Sequence, residues 1–297
     1  MTSYYKLVDA NKARSGMVIA IFIAFITAAT YLLSYALGFD LSAVGIALIL
    51  SGALSFVSYY FSDQIILGIS GAVPANKRDH FDFYTVAENI ARPAGIPMPK
   101  LYVQNDSAMN AFATGRDPEH AVVCATTGLL AKLTRTELEG VVAHEMSHIR
   151  NYDTRLMSIV TILVGLITLL ADILLRTNIR GKSDRDNGNI GAFFMIAGFV
   201  LALLSPIIAK LIQLAISRRR EFLADATGAQ ITKYPEGLAS ALEKLSGDKE
   251  PLEAANKATS HLYIVNPLKN HHDSIGWFAN LFNTHPPIAQ RIKALRS

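Results

Sequence analysis

The chain opens with two stretches that carry no charged side chain, residues 15–39 and 41–62. Each is long enough to cross a hydrocarbon core of ~30 Å as a helix, and Gly38, Phe39 and Asp40 mark the turn between them. The pattern predicts a transmembrane hairpin. Lys6, Lys12 and Arg14 precede it and Lys77 and Arg78 follow it; positive flanks stay in the cytoplasm, so both ends are expected there. A cleaved signal peptide is the competing reading of the first stretch, but its apolar run is too long and no small-residue cleavage site stands out. Residues 156–171 and 188–209 repeat the pattern and predict a second hydrophobic hairpin. Asp172 interrupts the end of the first of these, which leaves a full span, a shallow insertion or a protein-covered helix open. Arg176, Arg180, Lys182 and Arg185 between them weaken the topology by placing positive charge on the supposed outer loop.

Residues 74–152 have a different texture, with charges, prolines and mixed periodicities. An amphipathic helix is expected over 83–94, stopped by Gly95-Ile96-Pro97-Met98-Pro99. Short strands follow at 100–104, 111–114 and 121–125, with Gly115-Arg116-Asp117-Pro118 turning between the last two, so a small antiparallel sheet is expected. Thr134 with Glu137 forms a capping box, and Leu138, Val141, Val142 and Glu145 then recur at helical spacing. That helix is expected to run on unbroken from His148 to Leu156. A last helix is expected over 288–295. The resulting division is an N-terminal tail and hairpin at 1–62, a first part of a cytoplasmic domain at 63–155, a second hairpin at 156–216, and the rest of the domain at 217–297. The fold class is a mainly α integral-membrane protein with a cytoplasmic α+β domain.

Composition supports the membrane reading: 51% hydrophobic and 18% charged residues with a mean hydropathy of +0.28 are too apolar for a soluble enzyme of 297 residues. The net charge of +4 is spread among clusters beside the apolar stretches, which does not suit a nucleic-acid partner. A single cysteine, Cys124, excludes an intramolecular disulfide and a cysteine-rich metal site.

Within the helix after Thr134 lies His144-Glu145-Met146-Ser147-His148. Two histidines one helical turn apart project from one face and can reach one metal ion. Neutral imidazole suits zinc, and a catalytic zinc takes three protein ligands and leaves a position for water. Glu145 stands where its carboxylate can take a proton from that water, the chemistry of peptide-bond hydrolysis. A five-residue pattern also occurs by chance, with histidines that merely cap or pack; the capping box and the helical spacing favour the metal. The third ligand must come from elsewhere. Glu221 follows the last apolar stretch, and an antiparallel return brings it level with His148. Asp225, four residues on, can hold the other ring N–H of a ligating histidine. The competing reading of 218–225 is a solvated helix laced with ion pairs.

Asn110-Ala111-Phe112-Ala113-Thr114-Gly115, the run 139–153 around the histidine pair, Arg220-Glu221-Phe222-Leu223-Ala224-Asp225 and Thr284-His285-Pro286-Pro287 stand in one chain in this order. Together they resemble the HtpX-type integral-membrane zinc metalloproteases and, more distantly, the CAAX prenyl endopeptidase. The resemblance spans essentially the whole chain. It implies a zincin-like domain holding one catalytic Zn2+ on His144, His148 and Glu221, with Glu145 as general base and Asp225 behind the ligands. It implies that Asn110 and Ala111 open an edge strand to which an extended substrate adds, and that His285 stabilises the oxyanion. It also implies a multi-pass protein of the cell (inner) membrane, with a cytoplasmic active site that hydrolyses misfolded or damaged membrane proteins or other unfolded polypeptides. The resemblance leaves room for a functional partnership with other membrane proteases. The alternative is a catalytically inactive relative acting as a membrane scaffold or chaperone.

His271 and His272 sit in a Lys269–Asp273 patch expected to be an exposed loop and read as incidental; His80 and His120 lack a partner at ligand spacing; His261 precedes Leu262-Tyr263-Ile264-Val265, a buried strand or helix end, and reads as structural. Asp153 is expected to bind an arginine such as Arg219 or Arg220 rather than the metal.

Overall fold

A computed structural model of the chain describes residues 2–37, 42–163, 218–253, 259–265, 267 and 286–297. Helix α1 (Thr2–Leu37) packs against α2 (Ser42–Tyr60), and the short α3 (Ser62–Ser70) follows. The expected pair of helices is there. Among the described residues, however, no helix is long and apolar enough to cross a membrane. Most of the second expected hairpin lies outside the described residues.

Helix α4 (Phe81–Ala94) buries Phe83, Val86, Ala87, Ile90, Ala91 and Ala94, the three- and four-residue spacing of one helical face. It stops where predicted. Gly95 adopts φ +69°, a left-handed position glycine takes without Cβ strain, which lets the Ile96 N–H reach the Ala91 carbonyl at 3.2 Å.

The sheet departs from expectation. Its order is β1-β2-β4-β3, with β1 (Val73–Pro74) antiparallel to β2 (Lys100–Gln104), β2 parallel to β4 (Val122–Thr126), and β3 (Ala111–Thr114) antiparallel to β4. It is therefore mixed rather than antiparallel. The turn after β3 does form the expected hairpin, but β4 returns between β2 and β3, beside the strand two elements back. All five residues of β4 are buried, as a central strand covered on both faces requires. Strand β3 is left at the edge.

Helix α6 (Arg135–Arg150), entered through the short α5 (Thr127–Lys132), is the axis of the domain. Its capping box is formed: the Thr134 N–H donates to Glu137 Oε2 at 2.7 Å and the Glu137 N–H to Thr134 Oγ1 at 3.5 Å. Glu137 also accepts from Lys244 Nζ (2.7 Å) and Ser240 Oγ (2.9 Å), which ties α6 to α8 (Pro235–Gly247). Helices α4, α7 (Arg218–Thr232) and α8 pack around α6, and α9 (Ile288–Leu295) lies on α7 and α8. Two glycines set the spacing. A Cβ on Gly140 would stand 2.5 Å from the Leu238 nitrogen, and one on Gly228 would stand 3.1 Å from the His144 nitrogen.

The continuous helix expected from His148 to Leu156 is broken. Asn151 ends α6, Tyr152 takes φ +60°, and residues 153–163 resume as a separate helical stretch. The break turns Asp153 back toward the histidines.

Candidate metal centre

His144 and His148 lie on the buried face of α6, their side chains 1% and 7% exposed, and Glu221 in the first turn of α7 is 2% exposed. The Nε2 atoms of the histidines are 3.2 Å apart. Glu221 Oε2 lies 3.8 Å from His144 Nε2, and Oε1 lies 3.5 Å from His148 Nε2. One donor atom from each of the three falls within 4.8 Å of the others.

The outer nitrogens explain why the inner ones face each other. His144 Nδ1 lies 2.9 Å from Asp225 Oδ1, and His148 Nδ1 lies 3.1 Å from Asp153 Oδ2. A carboxylate accepts from a ring N–H, so each Nδ1 carries the proton and each Nε2 presents a lone pair. Two lone pairs at 3.2 Å repel unless a cation or a proton lies between them. Two imidazoles and a carboxylate, each imidazole backed by a carboxylate, fit a divalent metal.

The electrostatics agree. Burial holds His144 below the ordinary imidazole value, against its bond to Asp225, and so favours the neutral ligand form. For His148, burial opposes the charge, but the bond to Asp153 and the nearby Glu221 and Glu145 outweigh it and carry the pKa up to about 9. Without a metal, a proton on His148 offsets the surrounding carboxylates. Burial, reinforced by the Glu221 charge, pushes the Glu145 carboxyl up to about 7, against the pull of His148, Arg291 and the Ala113 N–H. A carboxyl in that range suits proton transfer near neutral pH.

Arg291, a residue that sequence reasoning missed, is fully buried on α9. Its Nε and Nη2 donate to Asp225 Oδ2 and Oδ1 at 2.9 and 2.7 Å, a two-pronged carboxylate grip. Its Nη1 lies 3.5 Å from Glu221 Oε2 and donates to the Ile264 carbonyl at 3.2 Å. Asp153 contacts Arg220 at 3.5 Å, as the sequence suggested, while also holding His148. His285 lies outside the described residues, as do His271 and His272.

Asn110 and Ala111 are buried on the edge side of β3, 3% and 2% exposed. That edge is not bare. The Ala111 carbonyl accepts from the Ile264 N–H at 3.0 Å, Asn110 Nδ2 donates to the Val265 carbonyl at 2.9 Å, and the Val265 N–H reaches Asn110 Oδ1 at 3.4 Å. Tyr263 packs edge-on against Phe112 with ring centroids 5.2 Å apart. The apolar run 262–265 reads in the sequence as a buried strand or helix end, and the structure adds that it lies along β3.

Comparison with known proteins bears on this centre. The profile of Peptidase family M48 matches residues 80–297. The chain is 43% identical over 297 residues to a "Protease HtpX homolog" of Caldanaerobacter subterraneus, covering 99% of this chain and 97% of that protein. It is 45% identical over 301 residues to one of Dictyoglomus thermophilum, covering 99% and 94%. The crystal structure of S. mikatae Ste24p aligns with a TM-score of 0.48 at 21% identity, covering 98% of this chain and 66% of that one. A metal cofactor accompanies the family, and nothing in these matches supports an inactive scaffold. With two histidines of one helix and a glutamate of another closing on one point, and with this likeness along its length, the chain belongs to Peptidase family M48 and is a metalloprotease of the HtpX type.

Proposed function

We propose that the protein is a membrane-bound, zinc-dependent endopeptidase of protein quality control, acting on misfolded or damaged membrane proteins and similar loosely folded chains. The observation that carries the reading is the convergence of His144 Nε2, His148 Nε2 and Glu221 on one buried point beside Glu145. Zinc held by His144, His148 and Glu221 would supply a Lewis acid for the scissile carbonyl and the attacking water. Glu145 accepts the proton of the attacking water at its carboxylate and returns it to the departing amine. Asp225 and Asp153 fix the ring tautomers, and Arg291 holds Asp225 in place. His285, following the resemblance, is assigned to the oxyanion.

An extended substrate adds to the β3 edge, where Asn110 and the Ala111 carbonyl engage its main chain and the Ala113 N–H stands at Glu145. Substrate then replaces the bonds that Ile264 and Val265 make there. Membrane residence, with the centre on the cytoplasmic side, rests on the charge-free stretches at 15–39, 41–62 and 188–209 and on the cationic residues flanking them.

The test compares wild-type protein with Glu145→Gln, each loaded with zinc, on casein. The variant is expected to retain one zinc per chain and to lose turnover by orders of magnitude, and a chelator is expected to silence the wild type until zinc is restored. Undiminished cleavage by Glu145→Gln would overturn the mechanism.

A further inference from the structure

The metal centre is built from α6 and α7, yet one of the groups that orients it comes from α1. Asn11 is 3% exposed, and its single Nδ2 donates twice, to the Asn151 carbonyl and to Asp153 Oδ1, both at 2.8 Å. Both partners are acceptors only, so the carboxamide nitrogen, not its oxygen, must face them. Asp153 Oδ2 in turn holds His148 Nδ1 at 3.1 Å. The two amide hydrogens thus fix the carbonyl where α6 ends and the carboxylate that sets the tautomer of a ligand. Lys12, the next residue of α1, lies over the Tyr152 ring at 4.6 Å, at the residue whose φ of +60° makes the turn possible.

We propose that Asn11 is a positioning residue for the metal centre: through Asp153 it orients His148, and it thereby couples the N-terminal helix to the affinity of the site for its metal. Arg220 Nη1, 3.5 Å from the same Oδ1, supplies charge but not the short bond that fixes the carboxylate plane. Asparagine is the residue the geometry needs. Aspartate would oppose Asp153 with a like charge, and an apolar residue would leave a buried carbonyl and a buried carboxylate oxygen each short of a donor. Outer partners of ligating histidines are worth on the order of 10- to 100-fold in metal affinity, and Asn11 stands one bond further out, so the lower end of that range is expected. The inference rests on the metal-centre reading of His144, His148 and Glu221.

Zinc affinity of the full chain is measured by competition with a chromophoric chelator for wild type, Asn11→Ala, Asn11→Ser and Asn11→Asp, with Ala13→Ser, at an exposed position of the same helix, as the neighbouring control. Melting temperatures are taken with and without zinc, and the visible spectrum of the cobalt-substituted protein reports on ligand geometry. Affinity is expected to fall about tenfold in Asn11→Ala and further in Asn11→Asp. The cobalt bands are expected to change, the zinc-induced rise in Tm to shrink, and Ala13→Ser to keep wild-type affinity. Asn11→Ser, with one donor for two acceptors, is expected between wild type and alanine and serves if alanine does not fold. Affinity within twofold of wild type in the folded variants would overturn the proposal, as would a loss of Tm equal with and without zinc, which marks a purely structural role. Wild-type protein that takes up no zinc would overturn the metal-centre reading itself.

Discussion

Arg291 grips Asp225 with two nitrogens, at 2.9 and 2.7 Å, although the residues are 66 positions apart and the arginine is fully buried. The pair is the outer wall of the candidate metal centre, because the same Asp225 oxygen that takes Arg291 Nη2 also holds His144 Nδ1 at 2.9 Å. Lysine cannot reproduce a planar fork. Arg291→Lys is therefore expected to lower kcat/KM by about 10- to 100-fold, with weakened zinc binding. Arg291→Ala, which leaves a buried carboxylate with the imidazole alone, is expected to cost about 3–5 kcal/mol of stability. Peptidase kinetics, chelator competition and denaturant unfolding measure the three, and wild-type values for Arg291→Lys would refute the role.

Gly140 gives α6 its close approach to α8. Helix propensity favours alanine there by about 1 kcal/mol, but a Cβ 2.5 Å from one backbone atom of Leu238 and 2.7 Å from another overpacks a contact that has no flexible side chain to yield, at about 1–3 kcal/mol. Gly140→Ala is expected to be destabilised on balance. A rise in Tm would show that α8 can shift without loss.

Glu137 offers a pH test outside the metal site. Burial raises its pKa, but the bonds from Lys244, Thr134 and Ser240 prevail and hold it below the ordinary glutamate value. A carboxyl whose folded value is depressed contributes stability that is present above its unfolded value of about 4.3 and is lost as the pH falls through the folded value. The stability gap between wild type and Glu137→Gln is expected to be constant from neutral pH down to about 5 and to narrow below that. Unfolding curves across the acid range measure it, and a gap that widens with acid would contradict the sign.

The β3 edge gives a kinetic prediction. Tyr263 has φ −74° and ψ 144°, the extended conformation that a residue before proline requires. Ile264→Pro therefore fits at 263 and deletes the N–H that binds the Ala111 carbonyl. If substrate and 264 compete for that carbonyl, KM for an extended peptide is expected to fall several-fold with little change in kcat. An unchanged or raised KM would mean that substrate pairs elsewhere.

Much of the local structure was legible because its signals are local. Thr134 and Glu137 announce the start of α6 within four residues, Gly95 announces the end of α4, and the three sequence-predicted strands appear within one residue of their expected bounds. What escaped depends on distant partners. Whether β2 takes β3 or β4 as its neighbour is decided by the whole sheet, so a parallel pair was read as antiparallel. Arg291 sits in Ile288–Leu295 as one cation of a short amphipathic helix, with nothing to separate it from a solvated arginine until α9 is folded onto α7. Asp153 was half read: its arginine was foreseen, whereas its histidine required the break at Tyr152, and neither asparagine nor tyrosine there signals a left-handed turn strongly enough to override helical periodicity.

Arg291 stands 147 residues beyond His144, so on a ribosome the paired histidines emerge long before the side chain that anchors their support. At about 5–20 residues per second, that interval is on the order of ten seconds. During it Asp225 has only the His144 imidazole to hold it in place. A chain cut short ahead of residue 291 is expected to hold zinc loosely and to cleave poorly. The order of synthesis thus makes Arg291 the last of the described site residues to arrive, and the carboxylate behind His144 is anchored only when the chain is almost complete.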